Sequence, residues 1–121
     1  MTLPLEMMSG ARLCVETCMG VKPGETVLVI TDRAYEEQAQ AVAVAAHLAG
    51  AEPIVMTVLA RRYYEMEPPA LVAKAMREAD VVLLTMPPIY SHFLYHTTAR
   101  KEATDAGVRL ANVWLTPENW N

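Results

Sequence analysis

The segment Thr26-Val27-Leu28-Val29-Ile30-Thr31 decides the fold class, because an unbroken run of aliphatic and β-branched residues of this length predicts a buried strand. Similar runs follow at residues 53–58, 80–85 and 108–113. The first three runs show no alternation of polar and apolar residues, which is typical of strands buried on both faces by helices. The runs start at residues 26, 53, 80 and 108, which leaves room for one crossover helix per unit. The spacing therefore predicts a parallel sheet with right-handed connections.

Helical patterns fill the intervals before and between these runs. Each of the first three helices is expected to bury a stripe of residues at helical spacing: Met8, Ala11, Val15, Cys18 and Met19; then Ala39, Val42, Ala43, Ala46 and Ala49; then Leu71, Val72, Ala75, Met76 and Ala79. Gly50 should end the second helix, Pro68 and Pro69 should begin the third, and a fourth is expected over residues 97–106 with Gly107 as its stop.

These patterns predict an α/β fold with three α/β/α layers and about four parallel strands, Rossmann-like or flavodoxin-like. The length of 121 residues fits one domain, which we place over residues 1–121. Four strands are few for an open doubly wound sheet. We therefore expect an incomplete or N-terminal domain rather than a full enzyme.

Composition narrows the partners that the chain can take. Apolar residues make up 53% of the sequence and charged residues 20%, as in compact globular proteins. The formal net charge of -4 argues against nucleic acid or an anionic membrane as a partner. No apolar stretch reaches the roughly 20 residues that span a bilayer. Only two cysteines, Cys14 and Cys18, occur, and no secretory signal is visible, so a cytoplasmic location is expected.

Candidate site residues lie where the predicted strands end, because ligands of open parallel sheets bind beyond the carboxyl ends of the strands. Asp32 follows the first strand and is either a ligand-binding carboxylate or the N-cap of the helix that carries Glu36. Arg33, with Arg61 and Arg62, forms either a cationic lip or an ordinary solvated surface. Neither a dinucleotide-binding glycine pattern nor a phosphate-binding loop is present.

The loop after the third strand concentrates further polar groups. It contains Ser91, His92 and His96, and Arg100 lies one turn further on. The two histidines are spaced by four residues, which suits a metal on a helix, but no third ligand accompanies them and Phe93 stands where a zinc protease needs a glutamate. Ser91 lacks the glycine-flanked elbow of a hydrolase nucleophile. We therefore predict ligand binding by Asp32 and these loop residues, with no catalytic residue and no metal ligand in this chain.

Three ordered stretches resemble the thermophilic-type metalloaminopeptidases, the aminopeptidase T group. The first runs from Glu16 to Asp32 and includes Lys22-Pro23-Gly24-Glu25. The second contains Glu67-Pro68-Pro69 and the following Ala79-Asp80-Val81-Val82. The third is His96-Thr97-Thr98-Ala99-Arg100-Lys101-Glu102-Ala103 with the later Ala106-Gly107-Val108-Arg109. The same pattern also resembles the N-terminal part of the 2,5-dihydroxypyridine ring-opening dioxygenases.

The resemblance implies an N-terminal α/β domain that frames a substrate cavity and helps to form a homodimer. It implies that the metal ligands of the aminopeptidases lie in a C-terminal catalytic domain absent from these 121 residues. Divalent metal ions are accordingly expected only with that region, and no cofactor in this chain. The loop residues Met86-Pro87-Pro88 depart from the family pattern, and this departure leaves the substrate class open. The alternatives are the N-terminal domain of a ring-opening dioxygenase and a free-standing binding or interaction domain.

Overall fold

The computed structural model describes residues 5–58, 69–85 and 98–113 of the chain. A helix α1 (Leu5–Arg12) continues into a π-helix (Leu13–Cys18), and the first strand β1 (Thr26–Asp32) follows. A short 3₁₀ helix (Arg33–Tyr35) leads into α2 (Glu36–Leu48), which connects to β2 (Glu52–Val58). The remaining elements are α3 (Ala70–Glu78), β3 (Val81–Leu84), α4 (Thr98–Asp105) and β4 (Arg109–Asn112). The predicted alternation of strands and helices is confirmed.

The four strands form one sheet in the order β2-β1-β3-β4, and every neighbouring pair is parallel. Thr26 lies beside Glu52, and the register between β1 and β2 runs without interruption to Asp32 beside Val58. The α/β fold with a parallel sheet is therefore confirmed.

Helices pack on both faces of the sheet and create two apolar cores. On one face the α1 helix, the π-helix and α2 cover one row of strand side chains, which includes Val27, Val29 and Leu83. On the other face α3 and α4 cover the alternate row, which includes Leu28 and Ile30. The two rows follow from the strand geometry, because successive side chains point to opposite faces.

The burial of β2 differs from the sequence prediction. The prediction of burial on both faces is correct for β1 and β3, but Ile54 of β2 is 47% exposed. The reason is the strand order: β2 is an edge strand, and α3 and α4 pack mainly over the inner strands of their face. The stripe predicted for α3 is wrong at Leu71, which is 74% exposed, whereas Val72 and Met76 are buried as predicted.

The π-helix changes the face predicted for the first helix. Ala11 and Val15 are buried as expected, but Cys18 is exposed. A π-helix bonds each residue to the fifth one along rather than the fourth, so the buried face moves on by about one residue per turn. Met19, and not Cys18, packs against the core.

Candidate functional site

The strand order places a topological switch point between β1 and β3. The chain leaves β1 through α2 on one face to reach β2, and it crosses back through α3 on the opposite face to reach β3. Connections that leave in opposite directions open a crevice at the carboxyl ends of the two central strands, and ligands of open α/β sheets bind in such a crevice. We take this edge as the candidate site.

Three polar residues line the carboxyl ends of the two central strands. Thr31 and Thr85 are fully buried, and Asp32 is 3% exposed. The single hydroxyl proton of Thr31 has two carbonyl acceptors within hydrogen-bond distance, that of Thr85 at 3.3 Å and that of Asp32 at 3.2 Å. The backbone N–H of Thr85 also donates to the carbonyl of Ile30 at 3.0 Å, which extends the ladder by one step. The ends of β1 and β3 are therefore fixed relative to each other.

The side chain of Thr85 has unused hydrogen-bonding capacity. Its Oγ1 atom is buried and has no hydrogen-bond partner within the part of the chain that the structure describes. A buried hydroxyl without a partner costs about 1–3 kcal/mol, so such groups are rare in folded proteins. Because side chains alternate along a strand, Thr31 and Thr85 belong to the face covered by α2, whereas Asp32 belongs to the face covered by α3 and α4.

Asp32 is not the N-cap residue of the α2 helix itself. The 3₁₀ helix Arg33–Tyr35 separates the two, the N-cap residue of α2 is Tyr35, and no side chain caps that helix end. Asp32 lies directly before the 3₁₀ turn that leads into α2, and its interpretation as a cap of that helical segment stays a prediction. A carboxylate that is almost completely buried at the end of a central strand is well placed to contact a small ligand, although its role stays a prediction.

The other predicted site residues divide into two groups. Arg100 is half-buried on α4, and α4 covers the face of the sheet to which Asp32 belongs. Arg33 is exposed directly after β1. Ser91, His92 and His96 lie outside the described residues, as do Arg61 and Arg62. The structure thus brings Asp32 and Arg100 to one face of the sheet, and the contribution of the loop histidines stays a prediction.

Within residues 5–58, 69–85 and 98–113, no group of three His, Cys, Asp or Glu side chains could hold a metal ion. The carboxyl edge offers the Asp32 carboxylate on the face covered by α3 and α4 and the Thr85 hydroxyl on the face covered by α2, and both are groups that bind polar ligands by hydrogen bonds. None of the helices in the described ranges combines the length and the apolar character that a membrane-spanning helix needs.

Charged residues at the opposite edge of the sheet link the amino ends of the strands through an ion pair and hydrogen bonds. Arg109 of β4 forms an ion pair with Glu25 at 2.6 Å, and Asp80 accepts a hydrogen bond from the backbone N–H of Thr26 at 2.8 Å. The backbone N–H of Lys22 bonds to the Glu25 carboxylate at 2.8 Å. The hydrogen bond from Lys22 lowers the pKa of Glu25, and Arg109 lowers it further. Partial burial raises this pKa, but by less, so the net shift is downward. The cluster stabilises the fold at the edge remote from the candidate site.

Sequence reasoning missed Thr31 and Thr85 as site residues. Both were visible as polar residues at strand ends, which is the available signal. Their contact joins residues 54 positions apart, and only the adjacency of β1 and β3 brings them together. The Glu25–Arg109 pair spans 84 positions and carried no sequence signal at all.

Comparison with known proteins gives matches among solved structures. No family model matches the chain. No curated protein matches it with significance. The fold is similar to 2,5-dihydroxypyridine dioxygenase from Pseudomonas putida KT2440, with a TM-score of 0.70 and 17% identity over 92% of this chain. It is also similar to wild-type AmpT from Thermus thermophilus, with a TM-score of 0.60 and 17% identity over 92% of this chain.

A third similar structure is a putative transcriptional repressor of the LacI family from Corynebacterium glutamicum, with a TM-score of 0.61 and 15% identity over 88% of this chain. The matches cover 35%, 36% and 42% of the dioxygenase, AmpT and repressor chains, so this chain spans only about a third to two fifths of their length. At such identities the comparisons establish a shared domain fold.

Proposed function

We propose that this chain is the N-terminal, non-metal-binding domain of a metal-dependent aminopeptidase-like hydrolase and is catalytically incomplete alone. The observation that carries the proposal is the fold match to 36% of AmpT over 92% of this chain. The three sequence stretches that resemble the aminopeptidases support it independently, because they occur in the same order and extend over most of the chain.

In the proposed protein this domain supplies a wall of the substrate cavity. The carboxyl edge with Thr31, Asp32 and Thr85 is the part of the domain that would face substrate, since ligands of such sheets bind at that edge. In an aminopeptidase of this kind, metal ions held by a second domain would activate water and polarise the peptide carbonyl. We further propose a homodimer, as the resemblance implies, and a cytoplasmic location, as the two cysteines and the lack of a visible secretory signal in the sequence indicate.

The first test is the reading frame downstream of Asn121. We expect it to encode a region rich in Glu, His and Asp, and a stop codon with no such region would contradict the proposal. The longer protein should hydrolyse leucyl substrates when supplied with zinc, cobalt or manganese, while the 121-residue chain should not. Metal-dependent turnover by the pure chain, abolished by His92→Ala with His96→Ala, would refute the view that this domain lacks catalytic residues.

A ring-opening dioxygenase is the second candidate, and one observation favours it. The match to the Pseudomonas dioxygenase has the higher TM-score, 0.70 against 0.60 for AmpT. An assay of the longer protein distinguishes the two candidate functions. The protein is given ferrous iron, oxygen and 2,5-dihydroxypyridine, and the loss of the absorbance of the substrate ring is followed. Turnover there, without release of leucine from leucyl substrates, would select the dioxygenase.

A further inference from the structure

Among the described residues, the outer edge of β2 pairs with no other strand. The N–H of Glu52 donates to the carbonyl of Glu25, so the backbone groups of Glu52 point inward to β1. Backbone polar groups alternate in direction along a strand, and those of Pro53, Val55 and Thr57 therefore point outward. No strand among the described residues pairs with this side of β2.

Beyond its first two residues, this edge carries none of the features that usually prevent strands from pairing with other chains. Natural edge strands are guarded by charged side chains, bulges or prolines. Residues 53–58 carry no charge, and the register of β2 with β1 is regular over all seven residues of the strand. Two guards stand at the start of the strand: the exposed charge of Glu52 and Pro53, whose missing N–H would have pointed outward.

The side chains of β2 that lie on the α3 face form an exposed apolar row. Ile54 is 47% exposed, and Met56 and Val58 are half-buried. An apolar groove of about 160 Å³ runs between this row and the end of α3, with Ile54, Met56 and Ala75 among its walls. Exposed backbone donors and an exposed apolar row thus coincide on one strand.

We propose that β2 pairs antiparallel with β2 of a second copy of this chain, about a two-fold axis through Met56. In this register Val55 faces Thr57 of the second copy, and each such pair exchanges two backbone hydrogen bonds. Both outward N–H groups of the strand are then satisfied. The alternative register centred on Val55 sets Thr57 against Pro53 and leaves the carbonyl of Thr57 without a donor.

Self-complementarity is the reason for choosing a second copy as the partner. Two-fold pairing through Met56 places Met56 against its own counterpart and Ile54 against Val58, so the exposed apolar row covers itself. No like charges meet in the paired stretch, because the nearest described charge, Glu52, falls opposite residue 60, beyond the strand. The two sheets join into one of eight strands. The inference rests on the homodimer in the proposed function and names its surface.

The test measures the mass of the full 121-residue chain by sedimentation at several concentrations. We expect a dimer. Thr57→Pro should weaken it about tenfold or more, because it removes one outward donor per copy and no bond within the chain. Ile54→Lys should weaken it similarly by placing a charge in the apolar row. The matched control is Leu71→Lys on the exposed face of α3, which should leave the dimer intact.

A cysteine pair tests the register. In a variant with Cys14→Ser and Cys18→Ser, Met56→Cys should cross-link two copies on mild oxidation, since facing Cα atoms in a non-hydrogen-bonded pair lie about 4.5 Å apart. Ile54→Cys should not, because the two copies of residue 54 are separated by four positions along the strand. Circular dichroism verifies that each variant is folded.

Several results would overturn the inference. A chain that stays monomeric, or a dimer that Leu71→Lys disrupts while Thr57→Pro does not, would show that β2 is not the interface. Cross-linking at position 54 in place of 56 would refute the register. An active but monomeric longer peptidase would refute the dimer alone, whereas a dimer without peptidase activity would refute the hydrolase alone.

Discussion

Replacing each of the two buried threonines at the carboxyl edge by valine should change stability in opposite directions. Thr→Val exchanges a hydroxyl for a methyl group of similar size, so packing is nearly unchanged. At position 85 the hydroxyl is buried without a partner in the described part of the chain, and its removal relieves a desolvation penalty. At position 31 the hydroxyl proton is shared between two carbonyl acceptors, at 3.2 Å and 3.3 Å, and its removal breaks that hydrogen bond.

The expected magnitudes follow from the cost of buried polar groups. Thr85→Val should raise the free energy of unfolding by about 1 kcal/mol, the lower end of the penalty for an unpaired buried hydroxyl. Thr31→Val should lower it by about 1 kcal/mol, the net value of a typical hydrogen bond. For a domain of this size each change corresponds to a shift in Tm of about 4 °C, so the two variants should differ by about 8 °C.

Urea denaturation followed by circular dichroism gives both free energies from the transition midpoint and slope. Thr17→Val is the matched control, since Thr17 is exposed on the π-helix and the substitution should change stability by less than about 0.5 kcal/mol. The reasoning is refuted if Thr85→Val destabilises the chain as much as Thr31→Val does. That result would mean that the Thr85 hydroxyl has a hydrogen-bond partner in the folded protein.

Three further predictions concern the core, the amino edge and the thiols. Met76→Ala should lower the free energy of unfolding, measured by urea denaturation, by about 2–5 kcal/mol, because Met76 is fully buried. Leu71→Ala should change this free energy little, because Leu71 is 74% exposed. The pKa of Glu25 is lowered on folding, so its carboxylate stabilises the fold above its ordinary pKa and this stabilisation is lost as pH falls through the lowered value. Glu25→Gln should therefore flatten the fall in stability between about pH 5 and pH 3, and an unchanged acid profile would contradict this. Burial, with a smaller effect of Cys18, raises the pKa of the Cys14 thiol, so exposed Cys18 should react faster with a thiol reagent at neutral pH; equal rates would argue against the π-helix geometry.

The sequence predicted well those features that depend on local periodicity. The run at Thr26–Asp32 and its counterparts marked the strands, since continuous aliphatic residues without alternation suit a strand covered by helices. Gly50 and Gly107 marked helix ends, and both adopt positive φ, at 89° and 92°. The end of the first strand also marked Asp32, which the structure places at the carboxyl end of β1. The role of Ser91, His92 and His96 remains a prediction from the sequence.

The sequence by itself determined the parallel α/β architecture, because each strand and helix is recorded in a short window of residues. The tertiary structure alone decided the order β2-β1-β3-β4. That order makes β2 an exposed edge, sets the switch point between β1 and β3, and joins Thr31 to Thr85 across 54 residues. Strand order depends on which face of the sheet each helix covers. Those contacts join residues far apart in the sequence, so no local sequence pattern predicts them.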